Sequence, residues 1–217
     1  AGAAAAFDSA DLKAQEAELT LKDNLGNELY GVGADNSGNA MNGLPEWIDD
    51  GTNYATIGGV TRDTSTTGTA AKARYDATGG SWTIPVLQDD YGAVTIENEK
   101  PDLITTTQTL WDAMMVRVQP QQRYPVGGQY DLLAQIGFDS IRYLRAAIVV
   151  DSHVQSGRAY GQNTNFIKLV VSTARQGSMR GWMPTSNKDE RVNQLLWAGN
   201  LVVGGPRFCF QQRALTA

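Results

Sequence analysis

The chain has 217 residues, 41% of them hydrophobic and 19% charged, enough to bury the core of one large domain or two small interleaved ones and too apolar for a solvated disordered tail. Its 18 Lys+Arg against 23 Asp+Glu leave a net charge of −5, a poor balance for a protein that grips nucleic acid by neutralising phosphates. Cys209 is the only cysteine, which excludes an intrachain disulfide and a thiolate-only metal site, and no apolar run of about 18 residues is there to span a membrane.

The opening AGAAAAF has neither the basic flank nor the apolar core of a signal peptide, and production in a cytoplasm is the simplest reading. Asp8-Ser9 can cap a long amphipathic helix that runs through Leu12, Glu16, Leu19, Leu21, Leu25 and Leu29 to a glycine stop at Gly31-Val32-Gly33. Residues 33 to 82, rich in Gly, Thr, Ser, Asn and Asp, read as turns with short strand-like pieces such as Tyr54 to Ile57. Val86 to Gly92 can form a short helix, and Leu103 to Thr106 a strand. Leu110, Trp111, Met114, Met115 and Val118 then fall on one face of a helix that Pro120 ends. Their simplest role is core packing. Gly127-Gly128 opens a loop; Ala146 to Val150 reads as a strand covered on both faces, and Phe166 to Val171 as another. From Arg191 the pattern predicts a hairpin turning at Gly199-Asn200, then a bend at Gly204-Gly205-Pro206 into a last strand from Phe208 to Leu215. The mixture of elements predicts an α+β (mixed α/β) fold.

Residues with chemical potential are few. His153 is the only histidine, which rules out any two-histidine metal site. It follows Asp151 by two residues, so both can share one side of a strand, whereas Ser152 cannot. No G-x-S-x-G elbow supports a nucleophile at Ser152 or Ser156, and a structural histidine is the favoured reading. Two acid pairs, Asp49-Asp50 and Asp89-Asp90, with Trp47, Trp82 and Tyr91, permit a glycosidase-like or carbohydrate-binding reading; turn residues are the commoner role for such pairs. Asp35-Asn36-Ser37-Gly38 holds oxygen ligands but no later glutamate of an EF-hand. Gly31-Val32-Gly33 and Gly58-Gly59 match no phosphate loop. The expectation is therefore no catalytic residue, no metal and no cofactor.

One run stands apart. Glu97 to Tyr124, ENEKPDLITTTQTLWDAMMVRVQPQQRY, resembles a signature of tailed-bacteriophage major capsid proteins, in which P-D-L-I-x-T leads through a Leu-Trp helix to Q-P-Q-Q-R. Asn42-Gly43-Leu44 with Ile57-Gly58-Gly59-Val60-Thr61-Arg62, Gly137-Phe138 with Ile148-Val149-Val150-Asp151, and Trp197-Ala198-Gly199-Asn200-Leu201 are similar to further family segments in the same order. The resemblance covers about Leu29 to Arg213. It implies the coat fold first seen in the Hong Kong 97 phage, with a peripheral domain (1–62 and 187–217) built on the long spine helix and a β-hairpin, and an axial domain (63–186) with a central mixed sheet. It further implies a structural protein of the virion, assembled in the host cytoplasm as pentamers and hexamers of one icosahedral shell around weakly contacted double-stranded DNA. Decoration, portal and scaffolding proteins would be its other partners. An encapsulin-type nanocompartment shares that fold; the P-D-L-I to Q-P-Q-Q-R run favours the phage reading. Trp47, in an apolar cluster with nothing local to bury against, and Arg62, Arg74 and Arg123 are the candidate intersubunit contacts. Gly58, Gly59, Gly127, Gly128, Gly204 and Gly205 are the candidate flexible joints.

Overall fold

The structure, a computed structural model, describes residues 3–118, 141–186 and 191–217. Among them lie six α-helices: α1 (Ala3–Leu29), α2 (Asp35–Gly38), α3 (Leu44–Trp47), α4 (Thr66–Ala70), α5 (Ile84–Val94) and α6 (Gln108–Val118). The strands are β1 (Thr56–Ile57), β2 (Val60–Thr61), β3 (Arg74–Asp76), β4 (Gly80–Ser81), β5 (Leu103–Thr106), β6 (Ile141–Tyr143) and β7 (Ala146–Val150). They continue as β8 (Ala159–Gln162), β9 (Ile167–Met179), β10 (Met183–Pro184), β11 (Arg191–Val192), β12 (Leu195–Val203), β13 (Phe210–Gln212) and β14 (Leu215–Thr216).

The chain divides into two compact units, one of Ala1–Gly43 and Leu169–Val202, the other of Leu44–Lys168 and Val203–Ala217. The resemblance implies boundaries at 62 and 187, with residues 203–217 in the peripheral domain, whereas residues 203–217 fall in the larger unit. The observed division gives residues 44–62 to the larger unit, because Arg62 ties them to its loops, and gives most of the β9–β12 ribbon to the smaller one.

The larger unit is organised by a six-stranded mixed sheet in the order β3-β13-β8-β5-β7-β6. One row of residues crosses all six strands: Arg74, Phe210, Gly161, Ile104, Ile148 and Ile141. Because side chains alternate along a strand, this row shares a face, and α5 and α6 cover it. Leu87, Tyr91 and Val94 of α5 and Leu110 and Met114 of α6 join Trp82, Ile104, Ile148 and Phe210 in one buried cluster. Gly161 sits at the centre of the row for a steric reason: a Cβ there would lie 2.0 Å from Phe210 Cε1. The Phe210 ring fills the space that a side chain would take. Gly161→Ala is therefore expected to cost about 1–3 kcal/mol by overpacking, read as a lower thermal midpoint.

Several predicted elements recur with altered bounds. The first helix begins at Ala3, ahead of the expected Asp8-Ser9 cap, and it closes through Tyr30 N–H to Asn27 O and Gly31 N–H to Glu28 O rather than on a left-handed glycine. The Ala146–Val150 strand is not covered on both faces, since Val149 is 41% exposed; β7 has only the edge strand β6 beyond it. The hairpin expected at Gly199-Asn200 does not form. β12 runs straight through those residues and pairs with β9. Asn200 Nδ2 donates to Asn42 Oδ1 at 2.9 Å, and Asn42 N–H donates back to Asn200 Oδ1. Gly199 is small because a Cβ would meet the Trp197 ring and Val170 O, each at 2.8 Å.

Candidate functional site

The candidate contact residues fall into distinct environments. Trp47 ends α3, where Leu44, Pro45 and Glu46 are buried, and its ring lines a cleft of about 240 Å³ with Ile57, Val60, Ala70 and Pro206. A Cβ on Gly58 would lie 3.4 Å from the ring. The half-buried indole thus packs on its own unit. Its buried Nε1–H has no acceptor among the described residues, a situation that costs about 1–3 kcal/mol.

Arg62 overturns its sequence reading. Its side chain has 0% exposure, so it cannot meet a neighbouring molecule. Nε donates to Ala71 O at 3.0 Å, Nη1 to Tyr54 O at 2.7 Å, and Nη2 to Glu46 O and Trp47 O at 2.7 and 2.9 Å. The Asp49 carboxylate, 4.0 Å from Nη1, balances the charge. Burial pushes the guanidinium pKa down, and Asp49 pulls it back up. Asp49 is itself no solvated turn residue: it is fully buried and accepts from Gly51, Asn53 and Tyr54 N–H and from Asn53 Nδ2. The planar fork of Arg62 and the carboxylate together hold three loops that have little secondary structure of their own.

Arg74 keeps an exposed flank. Its Nε donates to Asp90 Oδ1 at 2.8 Å, and Nη2 lies 3.6 Å from Asp89, with the Arg74 side chain 43% exposed. Asp90 is buried and also accepts from Gln212 Nε2 at 2.7 Å, while Gln212 Oε1 accepts from Trp82 Nε1 at 2.8 Å. Burial pushes the Asp90 carboxyl up, against the pull of Arg74 and Gln212; the same bond pushes Arg74 up. Two donors, Arg74 Nε and Gln212 Nε2, thus converge on the one buried carboxylate. Neighbours in sequence, Asp89 and Asp90 therefore occupy opposite environments and do not form the two facing carboxylates of a glycosidase.

The glycine pairs serve local packing. Gly58 and Gly59, with φ of +55° and +79°, are the two central residues of the β1–β2 hairpin, where Ile57 pairs with Val60 and only left-handed residues match the strand twist. Gly204 N–H donates to Phe166 O at 2.8 Å. A Cβ on Gly205 would lie 2.8 Å from Phe208, whose ring stacks on Phe166 at 4.9 Å. Gly58 and Gly59 thus form a tight turn, and Gly205 a close approach to the Phe166–Phe208 pair. Arg123, Gly127 and Gly128 lie outside the described residues.

His153 and Asp151 do share a side. Asp151 Oδ1 accepts from the His153 N–H at 2.9 Å and lies 3.0 Å from its Nδ1, the geometry of a carboxylate that closes a turn. Asp35 likewise accepts from Val32 N–H. Among the described residues no three His, Cys, Asp or Glu side chains are grouped to hold a metal ion. Cys209 is fully buried, and burial pushes its thiol up to about 11. In the folded protein at pH 7, maleimide labelling of Cys209 is expected only as fast as the protein opens, a rise on adding denaturant marking that limit.

No protein-family model matches the chain, and no curated sequence matches it. Solved structures do. The chain superposes on a subunit of the cyanophage A-1(L) capsid with a TM-score of 0.66 at 13% identity, covering 91% of this chain and 67% of that one. This chain has the phage coat fold. A chain of the satellite phage P4 procapsid, a structure that includes the size determination protein, aligns over 95% of this chain and 64% of that one, with a TM-score of 0.53 at 11% identity. The SrpI encapsulin of Synechococcus elongatus aligns at a TM-score of 0.47 and 13% identity over 66% of this chain and 52% of that one, too loosely to bear on function. The coat-fold chain thus spans about two thirds of the length of the two phage chains. The signature run Pro101–Val118 supplies the central strand β5 and helix α6 of the sheet unit.

Proposed function

We propose that the chain is a major capsid protein of a tailed phage, assembling as pentamers and hexamers into an icosahedral shell around double-stranded DNA. The superposition on a capsid subunit over 91% of the chain carries the reading, and the capsid-like run from Pro101 to Arg123 supports it. The role is mechanical: subunits make heterologous contacts whose rotation closes rings of five and six. On this reading the unit of residues 44–168 and 203–217 is the axial domain and the unit with α1 and the β9–β12 ribbon is the peripheral one. The net charge of −5 suits a container that must release its DNA, because a strongly basic lining would pin it. Portal, scaffolding and decoration proteins are its further partners, and assembly takes place in the host cytoplasm. Among the described residues no helix is long and apolar enough to cross a membrane.

Negative-stain microscopy of the expressed chain tests the reading: closed shells of uniform size support it, and shells loaded with protein cargo or a dispersed monomer overturn it. Within such shells Trp47 is the better anchor candidate. Trp47→Ala is expected to lower shell melting while the free subunit stays folded by circular dichroism, whereas Arg74→Ala acts inside the subunit by stripping Asp90 of its cation. Parent-like melting of Trp47→Ala shells would confine Trp47 to packing within its own unit.

A further inference from the structure

The helix α1 carries two apolar stripes on opposite sides. Ala14, Leu21 and Leu25 are half-buried, and Ala14 and Ala17 line a cleft of about 270 Å³ with Met179, Trp182 and Leu195 of the same unit. Leu12 and Leu19 are 57% and 64% exposed. Leu21 lies nine residues beyond Leu12, about two and a half turns at 3.6 residues per turn, so the stripe of Leu12 and Leu19 points directly away from the packed face. Glu16 and Asp23, four residues after each leucine, lie on the same side.

We propose that this outward stripe docks a second copy of the chain through the β9–β12 ribbon of that copy, an inference that rests on the shell-subunit reading. Charge selects the occupant. The helix holds Asp8, Asp11, Glu16, Glu18, Asp23 and Glu28 against Lys13 and Lys22, so pairing two such helices would bring like charges together. Over residues 169–202 the charged side chains are Arg175, Arg180, Lys188 and Arg191 against Asp189 and Glu190, a net charge of +2, and Arg175, Arg180 and Arg191 are exposed. β9 also exposes Leu169 at 52% and Val170 at 57%, one on each face of the strand, so either face sets apolar surface in a ribbon of net positive charge against a stripe that offers acids and leucines. The ribbon of the same molecule already meets the opposite face of α1, so only another copy's ribbon reaches this one. A helix face of one subunit on the ribbon of the next joins two different patches, and on the shell reading it repeats around a ring of five or six.

The test compares the parent chain with Leu12→Gln/Leu19→Gln, with Glu16→Lys, with Arg175→Glu, and with Glu16→Lys/Arg175→Glu together, using particle yield and sedimentation velocity of unassembled subunits, with circular dichroism to confirm folding. The leucine pair and each single charge reversal are expected to weaken self-association roughly tenfold or more. The double reversal is expected to restore part of the loss. Parent-like association of the leucine variant overturns the proposal. If the parent makes no shells, the capsid reading falls while sedimentation still decides the contact: association of the parent that the leucine variant loses supports the docking surface, and monomers throughout overturn it.

Discussion

Arg62→Ala is expected to destabilise the subunit by about 3–5 kcal/mol, because it removes one partner of a buried, hydrogen-bonded charge pair. Four carbonyl oxygens, those of Ala71, Tyr54, Glu46 and Trp47, would lose their donor at once, and the buried Asp49 would lose its counter-charge. Arg62→Lys is expected to recover little, since a single ammonium has three donors on one atom and cannot reach acceptors spread around a planar fork. Equilibrium urea unfolding of the free subunit measures both. A variant that unfolds like the parent but fails to assemble would return Arg62 to the surface between subunits.

The second large effect is expected at Trp82. It is fully exposed to none of the solvent, at 0%, belongs to the main buried cluster and donates its indole N–H to Gln212 Oε1. Trp82→Ala should cost about 3–5 kcal/mol through the cavity alone, and it also strands the Gln212 carbonyl that helps place Asp90. Trp82→Phe keeps most of the volume and isolates the hydrogen bond, at about 1–2 kcal/mol. Trp111, which helical spacing assigns to the core, is only half-buried and packs against the margin of that cluster, so Trp111→Ala should cost less than Trp82→Ala. Denaturant midpoints of the three variants check the order, and a larger loss at Trp111 would reverse it.

Local signals explain which parts of the fold were legible. The strand Leu103–Thr106 and the helix to Val118 carry their own period and were read with nearly their observed bounds, as was the strand Ala146–Val150. The acidic balance, the single cysteine and the capsid-like run around Pro101 likewise needed only the sequence, since each is a property of residues close together in the chain. The roles of Trp82 and Asn200 depend on partners far away in the chain, and that of Arg62 on how the loops within 16 residues of it fold around its guanidinium. Asn200 meets Asn42 across 158 residues, and Trp82 meets Gln212 across 130. For that reason Gly199-Asn200 looked like a turn and proved to be mid-strand: nothing local records that Trp197 and the Val170 carbonyl need the space of a missing side chain. On α1 the sequence supplied every leucine, and a single amphipathic pattern accounted for them all; tertiary packing divided them, covering Leu21 and Leu25 and leaving Leu12 and Leu19 in solvent, because a helix has two sides and the fold of this unit covers one.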